Sequence, residues 1–66
     1  MIFRPGDEIL FDYNPSEEFT IERIRYQGLA HVRDIWRMLG WDLNRNQIGS
    51  YNLIHIHNII LLKGPK

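Results

Sequence analysis

Cysteine is absent from the 66 residues, so no disulfide staples the chain and no thiolate is available for catalysis or metal binding. A small domain without disulfides suits a reducing compartment, and a cytoplasmic location is the expectation. Net charge is absent too, since eight Lys and Arg balance eight Asp and Glu. That counts against non-specific nucleic-acid binding, which rests on phosphate neutralisation by clustered cations. No apolar run approaches the roughly 18 residues of a membrane helix, and no charged-then-apolar start marks a signal peptide. Proline bars the Asn14-Pro15-Ser16 triplet from glycosylation. A glycine-rich phosphate loop, a dinucleotide fingerprint and a paired-carboxylate signature are all missing, and Ser50 has no nucleophile motif around it. A non-enzymatic protein without cofactor or metal is therefore expected. Length allows one domain, 1–66, which buries only roughly 60% of its unfolded surface.

What is present is concentrated near the C-terminus. Ile48–Lys63 (IGSYNLIHIHNIILLK) is the densest apolar run, rich in β-branched and aromatic residues that favour a pleated backbone. It predicts two strands, Ser50–Ile56 and Ile59–Lys63, with a tight turn at Asn58. The unbroken IILL implies a last strand buried on both faces or covered by a partner.

Upstream, Arg4-Pro5-Gly6-Asp7 is a turn signature. Glu8–Tyr13 alternates as a strand, and Asn14–Glu18 is a polar loop that Pro15 keeps out of any ladder. Phe19–Tyr26 is a second strand whose apolar phase slips between Ile21 and Ile24, predicting a bulge at Glu22-Arg23. Gln27-Gly28 then predicts a tight hairpin turn. Leu29–Trp41 supports two readings. As a helix, Val32, Ile35, Trp36 and Leu39 share a stripe and Gly40 stands at its end. As a strand, Ala30, Val32, Trp36 and Met38 alternate with polar residues, and the preceding turn favours a strand over Ala30–Ile35. Asp42–Gln47 is a polar loop, and Gly64-Pro65-Lys66 a short tail.

About five short strands with tight turns predict a mainly β fold, a small bent antiparallel barrel with one short helix within 29–39 as the alternative. The PGDEILF opening and the YNLIHIHNIILL close resemble the SH3-like small barrels, including KOW- and Tudor-type domains. That resemblance implies a strand, a single helical turn and a final short strand at the close. Such barrels bind peptides, nucleic acid or protein surfaces, and many compact bacteriophage-encoded proteins look similar.

Charge is unevenly placed. Residues 1–22 carry one cation, Arg4, against six carboxylates, whereas residues 23–66 carry seven cations against Asp34 and Asp42. The two halves are expected to pair within one barrel or across a dimer. Trp36 and Trp41 are the informative aromatics. On a helix they point roughly 140° apart, whereas across a hairpin closed by Arg37–Gly40 they face each other. An exposed Trp flanked by Arg33 and Arg37 has the residue types of a binding hot spot. The candidate binding residues are therefore Arg33, Trp36, Arg37, Trp41 and Arg45, the last from the amide-rich loop. They predict a protein–protein interaction module, an inhibitor or adaptor. The alternative is a nucleic-acid binder that stacks Arg and Trp on bases from a face of Arg23, Arg25, Arg33, Arg37 and Arg45. A homodimer through Ile59–Leu62 is a further expectation. His55 and His57, two apart on a strand, have a spacing that suits two metal ligands, but polar residues on a wet strand face are the expectation. His31 and Asp34 are within hydrogen-bonding reach only if 29–39 is helical.

Overall fold

The computed structural model describes residues 3–64. Five antiparallel strands form one sheet: β1 Glu8–Tyr13, β2 Thr20–Val32, β3 Ile35–Asp42, β4 Gln47–Asn52 and β5 Ile56–Lys63. A single 3-10 turn, Leu53–His55, joins β4 to β5. The order across the sheet is β4-β3-β2-β1-β5, so consecutive strands are neighbours until β5 returns to pair with β1. The mainly β expectation holds. Among the described residues no β4–β5 ladder closes the sheet into a barrel.

Alternation builds the core. Along β2, Glu22, Ile24 and Tyr26 turn inward while Ile21, Arg23 and Arg25 turn to solvent. Ile9 and Phe11 of β1, Met38 of β3 and Tyr51 of β4 complete a buried cluster with Ile24 and Tyr26. Phe11 and Tyr13 each meet Tyr51 edge-on, with ring centroids 5.2 and 5.3 Å apart. This edge-to-face geometry sets the positive ring edge against the negative ring face. Tyr51 has room because its strand neighbour is glycine: a Cβ on Gly49 would collide with the Tyr51 ring. Across the ladder, Gly40 faces Gly49 and leaves space for Ile24.

The Arg4–Asp7 turn forms as its sequence predicts, with Asp7 N–H donating to the Arg4 carbonyl at 2.9 Å. Four other expectations are overturned. No bulge lies at Glu22-Arg23, because β1 and β2 pair without interruption from Glu8↔Arg25 to Tyr13↔Thr20. The phase does not slip; Ile21 is exposed and Glu22 takes the inward position. Gln27-Gly28 is no hairpin turn but a bulge, where the β2–β3 register shifts between Tyr26 and Gly28. The hairpin turns at Arg33-Asp34 instead, with Val32 facing Ile35 and both turn residues at positive φ, 52° and 63°. Those dihedrals match the right-handed twist of the flanking strands, which is why such turns close two-residue hairpins. No helix forms over 29–39, and the strand expected across Ala30–Ile35 is cut by that turn.

The close of the chain also differs. β4 ends at Asn52, whose side chain accepts from Ile54 N–H at 3.2 Å and caps the 3-10 turn. Asn58 has positive φ, 55°, inside β5 and marks a bulge in its pairing with β1, not a turn between strands. Its amide donates to Asp12 at 2.8 Å. Ile60, Leu61 and Leu62 are exposed, so β5 is not buried on both faces within one chain. Pro65 and Lys66 of the expected tail lie outside the described residues.

Candidate functional site

The strand phase of β3 decides where the predicted residues go. Met38, Gly40 and Asp42 face the core, so Trp36 lies on that same side and Arg37, Leu39 and Trp41 on the outer one. Trp36 and Trp41 thus sit on opposite faces of one strand, roughly 17 Å apart along it. They are neither a helical pair nor a cross-strand pair. Trp36 lies beyond the core, 52% exposed, and its ring stacks on that of His31 at 4.7 Å, with 25° between the planes. His31 is its partner across the ladder, so the β2–β3 register sets up the stack. Asp34, the helical partner considered for His31, occupies the turn.

Arg33 is the exposed first residue of that turn. Arg37 lies back along the outer face of β3, its Nε donating to Ser50 Oγ at 2.6 Å and its terminal nitrogen to the Ser50 carbonyl at 3.2 Å. Trp41 pairs across the ladder with Arg25 on one side and Ile48 on the other, and donates from Nε1 to Asn46 at 3.2 Å. The five predicted residues therefore divide. Arg33, Trp36 and Arg37 belong to the hairpin tip, and Trp41 and Arg45 to the far end of β3.

Beside Trp36 lies an open cavity of about 410 Å³, lined by Asp34, Ile35, Trp36, Asn52, Leu53 and Ile54. Ile35 and Ile54 of its lining are exposed, Ile54 at 74%, and so is Val32, opposite Ile35 across the ladder. The 3-10 turn supplies one wall and the hairpin tip the other. Scattered exposed apolar residues are ordinary, but grouped ones beside a concavity mark interaction surfaces.

Arg45 sits elsewhere and does something different. Its guanidinium donates to Glu22 at 2.8 Å and to Asp42 at 2.7 Å, two carboxylates whose side chains are almost wholly buried. Asp42 also accepts from the backbone N–H of Asn44 and Arg45, at 2.9 and 3.0 Å, and so shapes the β3–β4 turn. Burial pushes the Asp42 carboxyl upward, but those hydrogen bonds, the Arg45 side chain's foremost, hold it below the ordinary carboxylate value. The Tyr51 phenol is pushed up by burial, then by the charges of Asp42 and Glu22. Next to Glu22 along β2, Arg23 Nε donates to buried Glu8 at 2.7 Å and keeps that carboxyl low, and Lys63 approaches the same group at 3.8 Å. The acidic and basic halves thus pair within the chain at these points.

Sequence reasoning passed over Glu22 and Asp42. Their signal was spacing: Glu22 holds the inward phase of β2, and Asp42 stands three before Arg45 in a turn. His55 and His57 are not on one strand; His55 closes the 3-10 turn and meets Tyr13 edge-on, and His57 lies opposite Asp12 in β5.

Compared with known proteins, the chain matches no family model, no curated protein and no solved structure.

Proposed function

We propose that the chain is a non-enzymatic protein–protein interaction module, an inhibitor or adaptor, that docks another protein at the hairpin tip. The observation that carries this is Trp36: half-exposed, held by its stack on His31, and set at the mouth of an apolar cavity. An exposed aromatic whose rotamer is already fixed loses little entropy on binding, and tryptophan and arginine are the residues most enriched at hot spots. Arg33, exposed in the adjoining turn, and Asp34 in the cavity lining supply polar groups beside it, whereas Arg37 lies on the opposite face, bonded to Ser50. The SH3-like plan is part of the proposal, and the single 3-10 turn between β4 and β5 supports it.

Nucleic-acid binding is the second reading, favoured by one observation: Arg25 and Trp41 are cross-strand partners on the outer face. That face is thinner than five arginines imply, because Arg23 and Arg45 are engaged by buried carboxylates. Capture from lysate, with and without nuclease, compares the natural chain with Trp36→Ala. The proposal expects a nuclease-resistant partner that Trp36→Ala loses while its fold, by circular dichroism, is kept. A partner retained by Trp36→Ala, or lost to nuclease, overturns it.

A further inference from the structure

Among the described residues the sheet has two uncovered edges, β4 and β5, and they are not alike. β5 is bulged at two places in its register with β1 and ends on Lys63, devices that discourage pairing with another strand. β4 has neither. Gln47–Asn52 contains no charged residue and no proline, and its register against β3 is unbroken.

The backbone of β4 shows which groups point outward. Asn52 N–H donates to the Tyr13 hydroxyl at 3.1 Å and so not into the β3–β4 ladder. Antiparallel alternation then turns the groups of Ser50 and Ile48 away from β3 as well. Arg37 takes the Ser50 carbonyl. Ser50 N–H and both backbone groups of Ile48 are left facing outward.

A cleft of about 410 Å³ runs along this edge, between β4 and the β1–β2 loop, whose Pro15 and Glu18 form the opposite wall. Glu22 and Asp42 lie in its floor. These two carboxylates share one cation, Arg45, itself half-exposed, and Glu18 adds a third carboxylate at the rim. Negative charge is in surplus there.

We propose that this cleft is a strand-addition site for an extended peptide of another protein, which pairs with β4 at Ile48 and Ser50 and directs a lysine or arginine toward Glu18 and the Glu22–Asp42 floor. Main-chain pairing supplies affinity in such sites, and pockets that receive alternate side chains supply selectivity. A second copy fits poorly. Its β4 has no cation, and its β5 offers mostly apolar side chains before Lys63. The site is separate from the hairpin tip and stands whether or not Trp36 docks a partner.

The test is an amide-shift titration of the isotope-labelled chain with a blocked peptide of about eight residues, alternating Thr and Val around one central Arg. Shifts at Ile48, Gly49, Ser50 and Glu18 are expected. Replacing the peptide's Arg by Glu, or N-methylating its alternate amides, weakens binding by about tenfold or more. Glu18→Gln weakens it by about threefold, whereas Trp36→Ala leaves it unchanged. Equal affinity for the Glu peptide, shifts centred on Ile56–Lys63, or no shift at millimolar peptide overturns the proposal. Concentration-dependent shifts at β4 without peptide overturn it too, because a second copy then occupies the edge.

Discussion

At its base, the β2–β3 hairpin buries Glu22, Ile24 and Tyr26 beside Met38 and Asp42; at its tip, it exposes Leu29, Val32, Ile35 and Trp36. The same ladder continues through both halves, so strand pairing alone does not decide burial. What differs is cover. β1 lies against β2 only as far as Arg25, and β4 lies against β3 only from Arg37 onward. Beyond Gln27 β2 has no β1 beside it, and before Arg37 β3 has no β4 beside it, so the apolar side chains Leu29, Val32, Ile35 and Trp36 meet water. At the base, carboxylates are buried because arginines reach them. At the tip, apolar residues are exposed because the 3-10 turn beside them leaves an open cavity and does not cover them. Composition is a poor guide to burial when one hairpin is longer than its neighbours.

That contrast can be broken by mutation. Phe11→Ala removes a fully buried ring from the base and is expected to cost about 3–5 kcal/mol. For a domain this small, that approaches the whole stability, and chemical denaturation should show a chain largely unfolded near 25 °C. Asp42→Ala deletes the turn cap and leaves Arg45 with Glu22 alone, and should cost about 2 kcal/mol in urea melts. Gly40→Ala is a sharper probe of close approach. Its Cβ would lie 2.6 Å from Ile24 Cδ1 and 2.8 Å from the Arg25 carbonyl, so a loss of about 1–3 kcal/mol is expected. At the tip, Arg33→Asn combined with Asp34→Gly suits both positive-φ positions and should raise stability by about 1 kcal/mol. Trp36→Ala should cost least, about 0.5 kcal/mol, the worth of its stack on His31. If Trp36→Ala proves as damaging as Phe11→Ala, the tip is part of the core and the contrast fails.

Acid sharpens the same comparison at the base. Glu8 and Asp42 are held below their ordinary values of 4.5 and 3.8 in the folded chain. Their stabilising effect is complete above those values and is lost as pH falls through the lower, folded ones. The melting temperature should therefore decline below about pH 4.5. Arg23→Gln should flatten the part of that decline due to Glu8, since the Arg23 hydrogen bond is the main cause of the depression.

The parts of this fold that the sequence reveals are those governed by neighbours in the chain. Glu8–Tyr13 alternates and is a strand; Pro5-Gly6 turns; Asp42–Gln47 is polar and loops. The hidden parts depend on distant residues. Glu22 looks like a surface residue until Arg45, well downstream, is placed beside it, and on local pattern only a bulge keeps the glutamate out. Gln27-Gly28 is the better turn by composition, yet the hairpin closes at Arg33-Asp34, where residues with side chains adopt positive φ. Pairing of β3 with both β2 and β4 fixes that register, and local preference yields to it. The candidate site divides for a similar reason. Trp36 and Trp41 lie an odd number of positions apart, so a strand must send them to opposite faces, which was legible only once helix had been excluded.

The return of β5 to β1 has a kinetic consequence. β1 through β4 form a meander in which each strand meets the one just made, and each closure spans a short loop. The final pairing joins Glu8 to Lys63, across nearly the whole chain, and the entropy of closing that loop is lost before any contact compensates. Folding of the complete sheet must wait for that pairing. Until then β1 has one bare edge and the apolar Ile59–Leu62 segment has no sheet to join.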